Sequence, residues 1–291
     1  MSSAVIIDGN LHANLITQKL ATNIATLAST HDIRPGLGVI LVGADPASQI
    51  YVDRKVAKAQ EVGVKVELLK LPGNIKENQI KGVITGLNKR SDIHGILVQL
   101  PLPDHVSTHR IINAIDPIKD VDGFTVHNVG LLHTQQAGLL PATPQGCLML
   151  IKACLGENLA GKRAVVLGRS QIVGRPMASM LINENCTVTL VHSMSIDIRK
   201  ECKEADIVVS AIGRPSLINA HFIKPGACVI DVGITRTPGG LKGDVDFASV
   251  VEVAGFLTPV PGGVGPMTVA CMLRNTFMAC LMQNNLEETD L

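Results

Sequence analysis

Tryptophan is absent from this chain of 291 residues, and other aromatics are scarce: five Phe and one Tyr. The core must therefore be aliphatic, which suits parallel strands of Val, Ile and Leu buried on both faces. An excess of either charge is also lacking, with 26 Lys and Arg against 25 Asp and Glu. Phosphate-backbone binding wants a basic surface and base stacking wants aromatics, so no nucleic-acid partner is expected. No run approaches the ~18 consecutive apolar residues of a membrane helix, and no membrane partner is expected. The opening MSSAVIIDGNLHANLI has no basic leader and sets Asp8 in its apolar stretch. That argues against a signal peptide, and a cytoplasmic location is the expectation. The seven Cys form no CxxC, and the nine His form neither HExxH nor a paired Cys/His spacing. Free thiols in a reducing compartment are expected, and no metal site.

What is present points to a well-cored α/β protein. The chain is 46% hydrophobic and 18% charged, which excludes a mostly disordered chain. Its length suits one large domain or two of about 100–200 residues. Apolar residues recur at helical spacing over 10–29, with Leu11, Leu15, Ile16, Leu20, Ile24 and Leu27 on one stripe. Strand 36–43 follows, then helix 48–62 with Ser48 as a candidate N-cap, strand 64–71, helix 77–88, strand 94–100 and helix 106–115. This alternation predicts a mainly parallel sheet. Residues 116–142, rich in Gly, Asp, Asn and Pro, read as a hinge and functional loop. The pattern then restarts: helix 144–155, strand 164–168, helix 173–184, strand 187–192, helix 197–205, and strands 206–213 and 227–233. A loop over 235–247 and a Pro/Gly-rich segment, 258–266, lead to a last helix expected to pack back on the first domain.

Four features carry chemistry. GKRAVVLGRSQIVGRPM sets a glycine turn between a buried strand and a helix, where backbone amides can face a pyrophosphate. The motif departs from GxGxxG, with Ser170 in place of the second glycine and the last displaced to Gly174, so a purely structural turn is the competing reading. NAD readers place an acid about 20 residues on. Nineteen residues beyond Gly174 stands Ser193, and the nearest acids, Glu184 and Asp197, lie outside that strand end. With Arg169 in the turn, NADP is the expected nucleotide.

Tyr51 and Lys55 lie one helical turn apart and project from one face. Against an apolar wall a lysine loses some preference for its charged form. Alone, YxxxK is also an ordinary surface pair. The short-chain dehydrogenase reading is rejected, because there the glycine turn comes first and here it comes second. Gln99 closes a buried strand in VQLPLP, where parallel sheets bind ligands. In DVDG, one of Asp120 and Asp122 can be a turn former while the other pairs with ligand N–H groups. PGGVGPMT (261–268) reads as a rigid loop whose backbone can approach a ligand closely.

Together these blocks resemble the bifunctional methylenetetrahydrofolate dehydrogenase/cyclohydrolases: YVDRK, GILVQLPLP, KDVDGF, LLPATPQG, VVLGRSQIVGRP, DVGI, KGDVDF and PVPGGVGPMT, in that family's order. One departure is Arg90 in LNKRSDIHG (87–95), where the family usually has Asp or Asn. The resemblance implies two α/β domains: a catalytic, folate-binding domain over 1–122 and a Rossmann-type NADP-binding domain over 123–291. Helix 268–284 would pack back on the first domain, with the folate in the cleft between the two. It implies a homodimer, tetrahydrofolate one-carbon substrates and a place in purine biosynthesis. By position it assigns catalysis to Lys55, Tyr51, Gln99 and Asp122. Substrate contacts would add Val98, Leu100, Pro261, Gly262 and Gly263. Nucleotide contacts would be Gly168, Arg169, Ser170, Ser193 and Ile234.

Overall fold

The computed structural model describes residues 3–287. Strands run β1 (Val5–Ile6), β2 (Gly36–Val42), β3 (Lys65–Leu71), β4 (Gly95–Val98), β5 (Arg163–Leu167), β6 (Thr187–Val191), β7 (Ile207–Ser210), β8 (Cys228–Asp231), β9 (Thr235–Thr237), β10 (Gly240–Lys242) and β11 (Phe256–Leu257). The chain forms two compact units. One holds residues up to Asn14 together with Thr143–Thr268; the other holds Leu15–Ala142 and the residues from Val269 on. The expected division at 122/123 thus differs from the packing, which keeps 123–142 with the residues before them.

In the second unit a parallel sheet runs β3-β2-β4. All seven residues of β2 are buried, as its unbroken apolar run requires when a strand is covered on both faces. Alternation divides them. Leu37, Val39 and Leu41 share a core with Leu20, Ile24 and Leu27 of helix Gly9–His31, Val52 and Ala59 of helix Pro46–Glu61, and Leu273, Phe277 and Leu281 of the last helix. Ile40 and Val42 face the opposite core with Ile80 and Ile84 of helix Glu77–Asn88, and with Ile96 and Val98. Full burial of each large aliphatic side chain contributes about 1.5–3 kcal/mol. The last helix, Val264–Gln283, is long and apolar enough to cross a membrane by composition, but 67% of its apolar window is buried inside the protein.

The first unit carries a six-stranded sheet, β1-β11-β8-β7-β5-β6, in which every pairing is parallel. β5 lies between β6 and β7, so chain direction across the sheet reverses there, the kind of position where open α/β sheets bind ligands.

Several local expectations are corrected. Residues 116–142 are not merely a loop: they contain helix Val126–His133, whose Thr125 cap accepts from the Asn128 amide. The 235–247 loop contains the β9–β10 hairpin, closed by Pro238 and Gly239. In 261–268 only the first three residues are loop, because the last helix starts at Val264. The helix expected over 106–115 is confined to Thr108–Ile112.

Candidate active site

Helix Pro46–Glu61 is started by Asp45 rather than Ser48: the Asp45 carboxylate accepts from the Ser48 amide at 2.8 Å, and Pro46 supplies a preset first-turn φ. This start sets Tyr51 and Lys55 one turn apart, Tyr51 exposed and Lys55 half-buried. Gln99 lies just past β4, its amide still donating to the Ile40 carbonyl at 2.9 Å. Pleat alternation gives Gln99 the parity of Leu97, whose side chain shares the core of Val52 and Ala59 on the Lys55 helix. Val98 takes the opposite parity and is buried in the other core, while Leu100 is half-buried. Lys55 Nζ accordingly donates to Gln99 Oε1 at 3.2 Å. Gln99 Nε2 donates to the Leu100 carbonyl at 2.6 Å, which fixes which end of the amide meets the lysine. The Leu100–Pro101 peptide is cis.

The two aspartates of DVDG divide their work. Asp120, 1% exposed, accepts through Oδ2 from the Thr125 amide at 2.7 Å and from Asn128 Nδ2 at 3.0 Å. It also bridges Ile96 of β4, which docks the segment beside the sheet. Asp122 has no side-chain hydrogen bond among the described residues. Burial pushes its carboxyl up to about 6; Lys55 opposes the rise and Asp120 adds to it. A half-buried carboxyl without a hydrogen bond among the described residues is suited to a ligand's N–H donors.

In the other unit, Gly168 ends β5 at φ +105°, where a Cβ would meet the Ala211 carbonyl oxygen at 2.3 Å. At Gly174 a Cβ would lie 1.9 Å from the Gly168 oxygen. Only glycines permit so tight a strand-to-helix turn. The Ser170 hydroxyl accepts from the Val173 and Gly174 amides at 3.2 and 3.3 Å, which explains a serine within the glycine motif. Arg169, Ser193 and Ile234 are exposed. Pro261, Gly262 and Gly263 belong to this unit too, not to the one holding Lys55. Gly262 has φ +101°, and a Cβ on Gly263 would meet the Pro259 oxygen at 2.5 Å.

Two family models cover most of the chain: the tetrahydrofolate dehydrogenase/cyclohydrolase catalytic domain matches residues 7–122, and the NAD(P)-binding domain of the same enzymes matches 141–284. The chain belongs to the tetrahydrofolate dehydrogenase/cyclohydrolase family. It is 52% identical to the bifunctional protein FolD 2 of Paracoccus denitrificans, over 99% of this chain and 97% of that one. The FolD of Paramagnetospirillum magneticum is 51% identical over the full length of both. Among solved structures, the bifunctional FolD of Campylobacter jejuni superposes with a TM-score of 0.94 at 42% identity, covering 98% of this chain and 100% of that one. The Trypanosoma brucei FolD, complexed with NADP cofactor and inhibitor, gives 0.92 at 40% identity, covering 97% and 99%.

The nucleotide unit of this family member fits NADP. The two acids nearest the end of β6 in sequence have partners of their own: Glu184 pairs with Lys152 at 2.8 Å, and Asp197 caps helix Ile198–Lys203. The Arg169 guanidinium makes no hydrogen bond or ion pair among the described residues.

Sequence reasoning missed the residues that hold these pieces in place. Lys119, 5% exposed, donates Nζ to the carbonyls of Leu87 and Arg90 at 3.3 and 2.6 Å, pinning the end of helix Glu77–Asn88 to the Asp122 segment. Arg90, the departure in the 87–95 loop, forks onto Asp92 at 2.9 and 2.7 Å and pairs with Glu67 of β3. In the nucleotide unit, Asp231 accepts from the amides of Gly233, Asp244 and Val245. Asp244 accepts from the Ser210 hydroxyl and from the amides of Ile212 and Arg214. These carboxylates order the loops after β7 and β8, including the one bearing Ile234. For the last two, the sequence signal was an acid within two residues of a glycine: Asp231 before Gly233 and Asp244 after Gly243.

Proposed function

We propose that this chain is a bifunctional one-carbon enzyme that oxidises 5,10-methylenetetrahydrofolate to 5,10-methenyltetrahydrofolate with NADP⁺ and hydrolyses the product to 10-formyltetrahydrofolate. The observation that carries this reading is Lys55 Nζ held at 3.2 Å by Gln99, in a unit where the half-buried Asp122 carboxyl makes no hydrogen bond among the described residues. We assign the folate to the unit of 15–142 with the residues from 269 on, and the nucleotide to 143–268.

Asp122, ionised, accepts the pterin's amino and ring N–H groups through charge-assisted bonds. The exposed ring of Tyr51 packs on the folate ring system. Gly168, Arg169, Ser170, Ser193 and Ile234 would hold the dinucleotide, which as NADP⁺ would supply the hydride acceptor for the oxidation. Hydrolysis of the methenyl cation needs a proton taken from the attacking water and one delivered to a ring nitrogen as the five-membered ring opens. Lys55 carries that traffic, and Gln99 holds its Nζ in place. Val98 and Leu100 frame this strand end, and Pro261–Gly263 offers backbone to the substrate. The family resemblance supports a homodimer, a cytoplasmic location and supply of formyl groups to purine biosynthesis.

The test supplies 5,10-methylenetetrahydrofolate with NADP⁺ or NAD⁺ and follows both reduced nicotinamide and methenyl product. Reduction of NADP⁺ with little methenyl accumulating supports both activities. Persistent methenyl leaves a dehydrogenase alone, and no reduction with either nucleotide by folded protein overturns the reading.

A further inference from the structure

Arg175 is the second residue of helix Gly174–Asn183 and is exposed. Its Nε donates to the Arg169 carbonyl at 3.2 Å, while its backbone amide donates to the Ser170 carbonyl at 3.0 Å. One residue thus grips two consecutive carbonyls of the glycine turn. Stability alone gives little reason for a cation here. The first turn of a helix carries positive partial charge, and Arg169 adds like charge nearby. No carboxylate occurs anywhere in GRSQIVGR (168–175) to offset them.

The consequence falls on Arg169. Its side-chain direction depends on its own φ and ψ, and the residue before it, Gly168, has no side chain to restrain the turn. Anchoring the Arg169 carbonyl fixes ψ at that residue. We propose that Arg175 is a positioning residue for nucleotide selection: by holding the Arg169 carbonyl, it aims the Arg169 guanidinium at the 2′-phosphate that distinguishes NADP from NAD. This rests on the assignment of Arg169 to the nucleotide given above.

Two neutral substitutions separate the anchor from the charge. In Arg175→Gln the amide nitrogen stands the same number of bonds from the backbone as arginine Nε, so the donor is kept. Arg175→Met is of similar length and has none. Dissociation constants for NADP⁺ and NAD⁺ are measured by calorimetry on the full chain without folate. The expected result is NADP⁺ binding about three- to tenfold weaker in Arg175→Met than in Arg175→Gln, the scale of one net hydrogen bond, with NAD⁺ binding alike in both. Equal NADP⁺ affinities in the two variants, or parallel losses for both nucleotides, would overturn the proposal. A wild-type chain with no preference for NADP⁺ would instead overturn the underlying reading of Arg169.

Discussion

Lys55 and Gln99 meet across 3.2 Å although 44 positions separate them in the chain. The contact joins a helix that packs over one face of the small sheet to the residue that leaves its β4 strand with matching parity. It holds the lysine nitrogen at a defined point on that sheet face while Gln99 is itself fixed through the Leu100 carbonyl.

Replacing this lysine separates the two activities. Lys55→Met is expected to lower hydrolysis of supplied methenyltetrahydrofolate by about 10²–10⁴-fold, the usual worth of a general acid–base group. Some oxidation of the methylene substrate should survive. Undiminished hydrolysis by the variant would remove Lys55 from the proton traffic.

Folate binding should follow the ionisation of Asp122. Its carboxyl is pushed up to about 6, and only the charged form makes charge-assisted bonds to the pterin. The KM for methylenetetrahydrofolate is therefore expected to be flat above pH 7 and to rise about tenfold per pH unit below pH 6. Asp122→Asn should bind poorly with no such inflection. A wild-type KM constant from pH 5 to 8 would refute the assignment.

The same carboxyl should cost stability. Its pKa is raised on folding, so its contribution is fully present below the unfolded value near 4 and is lost as pH rises through about 6. Asp122→Asn removes the buried charge. The variant is expected to be more stable than the parent at pH 8, by on the order of 1–3 kcal/mol, with the difference vanishing near pH 4. Denaturant unfolding at the two pH values measures it, and a variant less stable at pH 8 would contradict the burial argument.

Nucleotide choice should depend on Arg169. Arg169→Ala is expected to weaken NADP⁺ about tenfold or more while changing NAD⁺ little, because only the former carries a 2′-phosphate. Calorimetric titration of both nucleotides decides this, and unchanged NADP⁺ affinity would take Arg169 out of the site.

Long, periodic elements could be read from the residues. Helix Glu77–Asn88 lies where its apolar spacing set it, and β2 is buried on both faces as its run of Gly, Leu, Val and Ile required. Elements of two or three residues could not be read this way. β1, β9, β10 and β11 have too little length for a period to show and owe their form to pairing. Ser48 was a plausible cap by residue type; Asp45 took the role because Pro46 stands ready for the first turn and the Asp45 carboxylate reaches the Ser48 amide.

The order of the motif blocks, the glycines of the turn and the lack of an acid at the end of β6 were all present in the one-dimensional chain. They determined the family and pointed to the nucleotide. Pairing distant segments decided the rest. Strand register gave Gln99 the parity that faces Lys55 and turned Val98 into the opposite core. Packing left Asp122 half-buried with no hydrogen bond among the described residues, while Asp120, two residues away, accepts from the amide of Thr125 and the side chain of Asn128. No local pattern separates these two aspartates, because hydrogen-bond partners and loss of solvent depend on neighbours that only the folded chain brings together.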